Sequence, residues 1–171
     1  HHSSAASDVY KRQHLMGLDV DFDSATKDIK ELAATLNNQD GYVYYQISRG
    51  VDMVRSHIYQ DDLEIERFGY AMPASFPSSA ISAMLCDDDR WGRCNIKSTS
   101  LLGNVLAMNK AKSLGCQEVV MHIDGFMTEA GASNVFYFDS AGSVRTSSLS
   151  ENILPGITRS ILIQALKDTP Y

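Results

Sequence analysis

The stretch Pro73-Ala74-Ser75-Phe76-Pro77-Ser78-Ser79 is the strongest constraint on how this chain folds. Proline fixes φ and removes a backbone donor, so a short Ser-rich run holding two of them excludes a helix or an inner strand. Residues 73–79 are therefore read as a linker, with one partial domain over 14–72 and another over 80–171.

Each side carries its own periodicity. Ile29, Leu32, Ala33 and Leu36 recur at helical spacing and predict an amphipathic helix over 24–38, with Asp23 or Ser24 as N-cap and Gly41 as the stop. Residues 42–48 are aromatic and β-branched between glycines and predict a buried strand; 66–72 predict a second. Past the linker, a helix is expected over 101–114, with Leu102, Val105, Leu106, Met108 and Ala111 on its apolar face and Gly115 ending it. Strands are expected over 118–123 and 134–138, with Asp124-Gly125 as a tight hairpin turn. A last helix is expected from Gly156 to about Lys167, packing through Leu162, Ala165 and Leu166. The class is α+β.

Charge and cysteine usage exclude several partners. The net charge of -6, without a run of one sign, argues against nucleic acid or an anionic membrane surface and suits a soluble enzyme. Cys86, Cys94 and Cys116 are an odd set without CxxC spacing, so neither a disulfide framework nor a metal site is expected, and a cytoplasmic location fits. No apolar run approaches the about 20 residues of a membrane helix. Residues 1–13 lack apolar periodicity and are read as a non-native leader.

Several residues offer chemistry. Lys97 stands between Ile96 and the apolar run that opens at Leu101, so partial desolvation is expected, the setting in which an amine becomes nucleophilic; on local pattern alone a solvated lysine is the commoner state. Gly156-Ile157-Thr158 opens a helix and presents backbone N–H groups and a hydroxyl to an anion. Ser133 and Asn134 lie in a turn of small residues that lets backbone approach a ligand, although Asn134 could simply cap the turn. Arg55 and His57 can together hold a carboxylate, or be solvated loop residues. Tyr44 lines a pocket or, more simply, sits in the core.

Four motifs occur in order: Ser48-Arg49-Gly50 with Arg55-Ser56-His57; Asp88-Asp89-Arg90-Trp91-Gly92-Arg93-Cys94-Asn95-Ile96-Lys97-Ser98 with Leu101-Leu102-Gly103-Asn104; Asp124-Gly125-Phe126-Met127-Thr128-Glu129 running into Gly131-Ala132-Ser133-Asn134; and Ile153-Leu154-Pro155-Gly156-Ile157-Thr158-Arg159. From about Leu15 to Leu166 the chain resembles the D-amino acid aminotransferases, pyridoxal-phosphate enzymes of fold type IV. The resemblance implies a small N-terminal α/β domain and a larger β-barrel-like C-terminal domain with helices, both partial. It implies that Lys97 is the Schiff-base lysine and proton shuttle and that Glu129 keeps the pyridine nitrogen protonated. Ser133, Asn134, Ile157 and Thr158 would also contact pyridoxal phosphate. Arg55 and His57 would hold the substrate α-carboxylate across a homodimer interface, with Tyr44 beside them. The implied substrates are a D-amino acid such as D-alanine and a 2-oxo acid.

Two departures accompany the resemblance. The loop from Gly50 to Arg55 is one residue longer than the family's usual spacing. The similarity begins inside the family's first domain and stops with family sequence still to come, so a fragment is expected, without the early arginine and the late Ser/Thr-rich loop that grip the cofactor phosphate. A branched-chain aminotransferase or an aminodeoxychorismate lyase would share the lysine and glutamate but not the Arg-x-His pair. The alternative of another class is a catalytically empty fragment that only associates.

Overall fold

The computed structural model describes residues 15–75, 78–167 and 169. The expected leader at 1–13 lies outside the described residues, as do Phe76 and Pro77 of the expected linker. One compact unit ends at Ser78 and another begins at Ser79.

The first unit is a helix on a two-stranded sheet: α1 (Phe22–Ala34), β1 (Gly41–Ser48) and β2 (Glu66–Pro73), the strands antiparallel from Gly41↔Pro73 to Ser48↔Glu66. The helix starts earlier than its apolar spacing suggests. Asp21, in extended conformation, accepts the N–H groups of Asp23 and Ser24 at 3.1 Å each, so Asp21 is the N-cap and Asp23 already belongs to the first turn. The helix also ends earlier, at Ala34, because Asn37 (φ 50) and Asn38 (φ 63) carry the chain through the left-handed region that asparagine tolerates. Gly41 instead opens β1. Leu32 packs closely over Gly69, where a Cβ would fall 2.8 Å from its Cδ1.

Among the described residues of this unit, α1 covers one face of the sheet. Tyr42, Tyr44, Phe68 and Tyr70 are exposed on the other, with Tyr44 stacked on its cross-strand partner Tyr70 at 5.4 Å between centroids. The expected buried strand is thus half-buried, and Tyr44 is not a core tyrosine, because a single helix can cover only one side of a two-stranded ribbon.

The second unit contains β3 (Ala83–Asp87), α2 (Leu102–Ser113), β4 (Glu118–Ile123), β5 (Phe126–Ala130), β6 (Phe136–Phe138), β7 (Val144–Thr146) and α3 (Ile157–Leu166). β3 runs parallel to β4 through the α2 crossover, and β4 pairs antiparallel with β5, giving the order β3-β4-β5; β6 and β7 form a separate pair. Asp124 (φ 51) and Gly125 (φ 81) make the tight turn between β4 and β5. The core centres on Ala111, Val119 and Met121, with Met84, Cys86, Ala107, Met108 and Cys116 packed against it.

Both helices face inward differently from their apolar patterns. Leu102, Val105 and Leu106 of α2 are exposed, and the small residues Ala107 and Ala111 meet the sheet together with Met108, which packs closely over Gly131. In α3, Leu162 and Ala165 are exposed, Leu166 is half-buried, and Arg159 is the buried residue, donating to the Ser147 carbonyl at 2.8 Å. The strand expected from 134 begins only at Phe136, since Asn134 is engaged elsewhere.

Candidate functional site

The site is built on an irregularity of the β4–β5 ladder. Val120 pairs with Ala130 and His122 with Met127, so Thr128 and Glu129 together oppose Met121 alone. Neighbours in a regular strand point to opposite faces. A bulge breaks that alternation and re-aims side chains, and here Thr128 and Glu129, both buried, reach the same pair of residues beyond β3.

Those residues are Asp88 and Arg90. Asp88 follows β3 directly, its N–H donating to the His122 carbonyl at 2.7 Å. Its carboxylate accepts Nε and Nη2 of Arg90 in a fork, each at 2.8 Å, and the Thr128 hydroxyl at 2.6 Å. Arg90 Nη2 also donates to the Asn152 carbonyl at 2.9 Å, and Nη1 donates to Glu129 Oε2 at 2.8 Å. Oε1 of Glu129 accepts Asn134 Nδ2 at 2.9 Å and the Leu154 N–H at 3.0 Å.

Burial gives this cluster its electrostatic character. Desolvation would raise the Asp88 carboxyl, but hydrogen bonds from Arg90 and Thr128 and the guanidinium charge outweigh it and hold Asp88 below its ordinary value. For Glu129 burial prevails over the same kind of support from Arg90 and Leu154, and its carboxyl is pushed up. Burial would lower Arg90, yet its bonds to Asp88 first and Glu129 second hold it more firmly cationic. One ion pair thus moves its two partners differently, because Arg90 draws on two carboxylates and Glu129 on one guanidinium. With Asp88, Arg90 and Glu129 ionised, the cluster carries one negative charge beyond neutrality.

Asn134 extends the site toward α3. The same amide nitrogen that reaches Glu129 donates to the Leu154 carbonyl at 2.9 Å, and Leu154 precedes by two residues the N-cap Gly156 of α3. Gly156 offers no side-chain cap, so the first N–H groups of α3, at Ile157 and Thr158, have no intrahelical acceptor and lie at the positive end of the helix dipole. Leu154 and Ile157 are at most roughly 11 Å apart along extended chain. A ligand with a cationic N–H at one end and an anion at the other matches this donor and acceptor set.

Lys97 is exposed, in contrast to the partial desolvation expected of it, and lies in irregular structure between β3 and α2. Its loop is pinned on both sides to the segments around Glu129. Asn95 N–H donates to the Glu151 carbonyl at 3.2 Å, and Asn104 Nδ2 donates to the Gly131 carbonyl at 2.8 Å. Ser133 is exposed, its hydroxyl 3.3 Å from Glu118 Oε2, while Glu118 Oε1 accepts the Gly131 N–H at 3.1 Å and folds the turn after Glu129. Ile157 and Thr158 are exposed at the helix start.

Tyr44, Arg55 and His57 belong to the other unit. Tyr44 donates to Gln46 Oε1 at 2.8 Å on β1, and Arg55 and His57 are exposed in the segment between β1 and β2.

Asp88, Arg90 and Thr128 have no assigned role in the sequence reading, although the first two lie in its lysine motif and the third in its glutamate motif. A buried cluster of charges from three segments leaves no periodic signal; the nearest hint is Gly103, where a Cβ would stand 3.0 Å from Arg90 Cγ. Among the described residues no group of three or more His, Cys, Asp or Glu is arranged to hold a metal, and no helix is long and apolar enough to cross a membrane.

The profile of the family described as amino-transferase class IV matches residues 12–170. The D-alanine aminotransferase of Listeria innocua serovar 6a is 37% identical over 145 residues, covering 81% of this chain and 50% of that protein. The D-alanine aminotransferase of Bacillus licheniformis is 34% identical over 166 residues, covering 94% and 58%. The branched-chain amino acid aminotransferase of Thermobaculum terrenum in its PLP form matches with a TM-score of 0.71 at 21% identity, over 95% of this chain and 56% of that one, which is a likeness of fold. The chain spans about half the length of the curated relatives it matches.

Proposed function

The chain belongs to the amino-transferase class IV family, and from that premise we propose that it carries the central part of a pyridoxal-phosphate site transferring an amino group between a D-amino acid, D-alanine or one like it, and a 2-oxo acid. The observation that carries this reading is the buried Glu129 carboxylate, in a cluster with surplus negative charge, beside a helix start without a side-chain cap. Those two features fit the ring nitrogen and the phosphate of the cofactor.

Bound pyridoxal phosphate supplies the electron sink that lets the substrate Cα lose a proton. Glu129 holds the proton at the ring nitrogen, the charge that makes the ring effective. The N–H groups of Ile157 and Thr158, with the Thr158 hydroxyl, bind the phosphate, and Ser133 and Asn134 shape the turn on the same side. Lys97 Nζ would hold the cofactor and would serve as the base that takes the proton from the substrate Cα. Its position in a pinned but exposed loop suits a group that must first be reached and then released. Arg55 and His57 orient the α-carboxylate from a second copy of the chain, with Tyr44 beside them, in a cytoplasmic homodimer. The D-specific assignment draws on the Arg-x-His pair and on the D-alanine aminotransferases that share more than a third of their aligned residues with this chain.

The test is made on the chain restored to the length of its relatives. Pyridoxal phosphate should give the absorbance band of a lysine-bound cofactor, lost in Lys97→Ala, and D-alanine should serve as amino donor. Transfer from L-leucine alone would remove the D-specific reading, and absence of the band would remove the aminotransferase reading.

A further inference from the structure

We propose that Arg90 is a positioning residue, shared between Asp88 and Glu129 so that the Glu129 carboxylate is fixed in direction yet left with negative charge to offer a cationic ring nitrogen. This rests on the cofactor reading above and goes beyond it in saying what holds the carboxylate ready.

Geometry carries the inference. The Arg90 and Asp88 side chains are each 3% exposed and that of Glu129 8%. Asp88 fixes the guanidinium along its Nε–Nη2 edge, the Asn152 carbonyl takes a further Nη2 hydrogen, and Nη1 is the end that reaches Glu129. The stem is confined as well, since Gly103 leaves only enough room for Arg90 Cγ to pass. Thr128, beside Glu129 on the bulge, holds Asp88 from behind and also touches the Met121 carbonyl at 3.2 Å. The guanidinium therefore cannot turn away from Glu129 without breaking its fork with Asp88.

The acceptor count points the same way. An ionised carboxylate offers about four acceptor positions, and those of Glu129 receive Arg90, Asn134 and Leu154, which leaves one. If neutralising Glu129 were the only purpose, Arg90 alone would serve, and a second buried carboxylate competing for the same cation would work against it. Asp88 instead takes up much of the guanidinium, so the trio keeps a net negative charge in a place where an uncompensated charge is unfavourable. A cationic N–H donor arriving at the remaining position would satisfy both the geometry and the charge. The titratable and charged groups facing Glu129 are Arg90, Asp88 and Cys94; Thr128, Asn134 and the Leu154 N–H contribute neutral polar contacts around it.

The sharing makes two variants move the same group in opposite directions. The Glu129 carboxyl is titrated by carbon-detected NMR in the full chain without cofactor, its resonance assigned with Glu129→Gln. Arg90→Gln should shift its midpoint upward, because the cation is lost. Asp88→Asn should shift it downward, because Arg90 is released to Glu129 alone. A merely structural role would loosen the cluster and move both variants the same way. Shifts of the same sign, or none, overturn the proposal; if Arg90→Gln does not fold, an upward or absent shift in Asp88→Asn overturns it. In the restored protein with pyridoxal phosphate, Asp88→Asn should also lower the pH at which the bound ring nitrogen loses its proton, and an unchanged midpoint overturns the role toward the ring. Absence of a lysine-bound band in the restored native protein would remove the cofactor reading and with it the role toward the ring, whereas the titrations without cofactor test the sharing by itself.

Discussion

A Cβ placed on Gly156 would lie 2.1 Å from Oδ1 of Asn134. The chain at the start of α3 and the amide that holds Glu129 thus occupy adjoining space, and the two ends of the site cannot shift independently. The backbone of Gly156 (φ -65) is one that any residue adopts, so it is this contact and not conformation that requires glycine.

Gly156→Ala should therefore destabilise the second unit by about 1–3 kcal/mol, with Asn134 driven from its bonds to Glu129 and Leu154. Asn134→Ala would lose those bonds directly but make room for the new methyl. Urea unfolding of both single variants and the double variant checks this: the double should be less destabilised than the sum of the singles, and strict additivity would contradict the contact.

Asp88→Asn tests the acid side of stability. Asp88 titrates below its ordinary value of 3.8 in the folded chain, so the stability it contributes is present above 3.8 and is lost as pH falls through the folded-state value. Glu129, pushed above 4.5, acts in the opposite sense: its contribution is present below 4.5 and is lost as pH rises through the folded-state value. Native protein should exceed Asp88→Asn by about 2 kcal/mol at neutral pH, the worth of hydrogen bonds to a charged group. That gap should close as pH is lowered below 3.8, which unfolding measured across the acid range will show.

Lys97→Ala should separate stability from chemistry. An exposed loop side chain is worth within about 0.5 kcal/mol, so thermal unfolding should be unchanged while the ability to form the lysine-bound cofactor band disappears. A large loss of stability would mean that Lys97 is built into the fold.

Gly69→Ala probes the first unit. Its Cβ would meet Leu32 Cδ1 at 2.8 Å, Tyr45 Cδ2 at 2.9 Å and the Tyr44 carbonyl at 3.0 Å, in the middle of β2. Overpacking of about 1–3 kcal/mol is expected, visible as loss of α1 docking in hydrogen exchange. Protection in α1 equal to that of the native chain would show that the helix yields freely.

The elements with strong local patterns were legible in the chain itself. Helical spacing located α1, α2 and α3, and runs of aromatic or β-branched residues located β1, β2 and β4, because backbone periodicity is written in neighbouring residues. β3 holds no β-branched or aromatic residue and β7 has only three residues, and the inward faces of α2 and α3 depended on what they met. Leu102 and Leu106 are more apolar than Ala107 and Ala111, yet it is Ala107, Met108 and Ala111 that pack against Val119 and Met121 while the leucines stay exposed.

By itself the sequence determined the fold class and the order of the motifs, and it supplied the residue types of the proposed site: Lys97 before α2, Glu129 after the Asp124-Gly125 turn, and Gly156-Ile157-Thr158 at the start of α3. Only the tertiary structure decided that Thr128 and Glu129 point together, that Asp88 and Glu129 divide one buried guanidinium between them, and that Lys97 stays exposed. The reason is physical: local spacing fixes which face a side chain would take in a regular strand, whereas the bulge opposite Met121 and the exclusion of water around Arg90 arise only when distant segments are packed against one another.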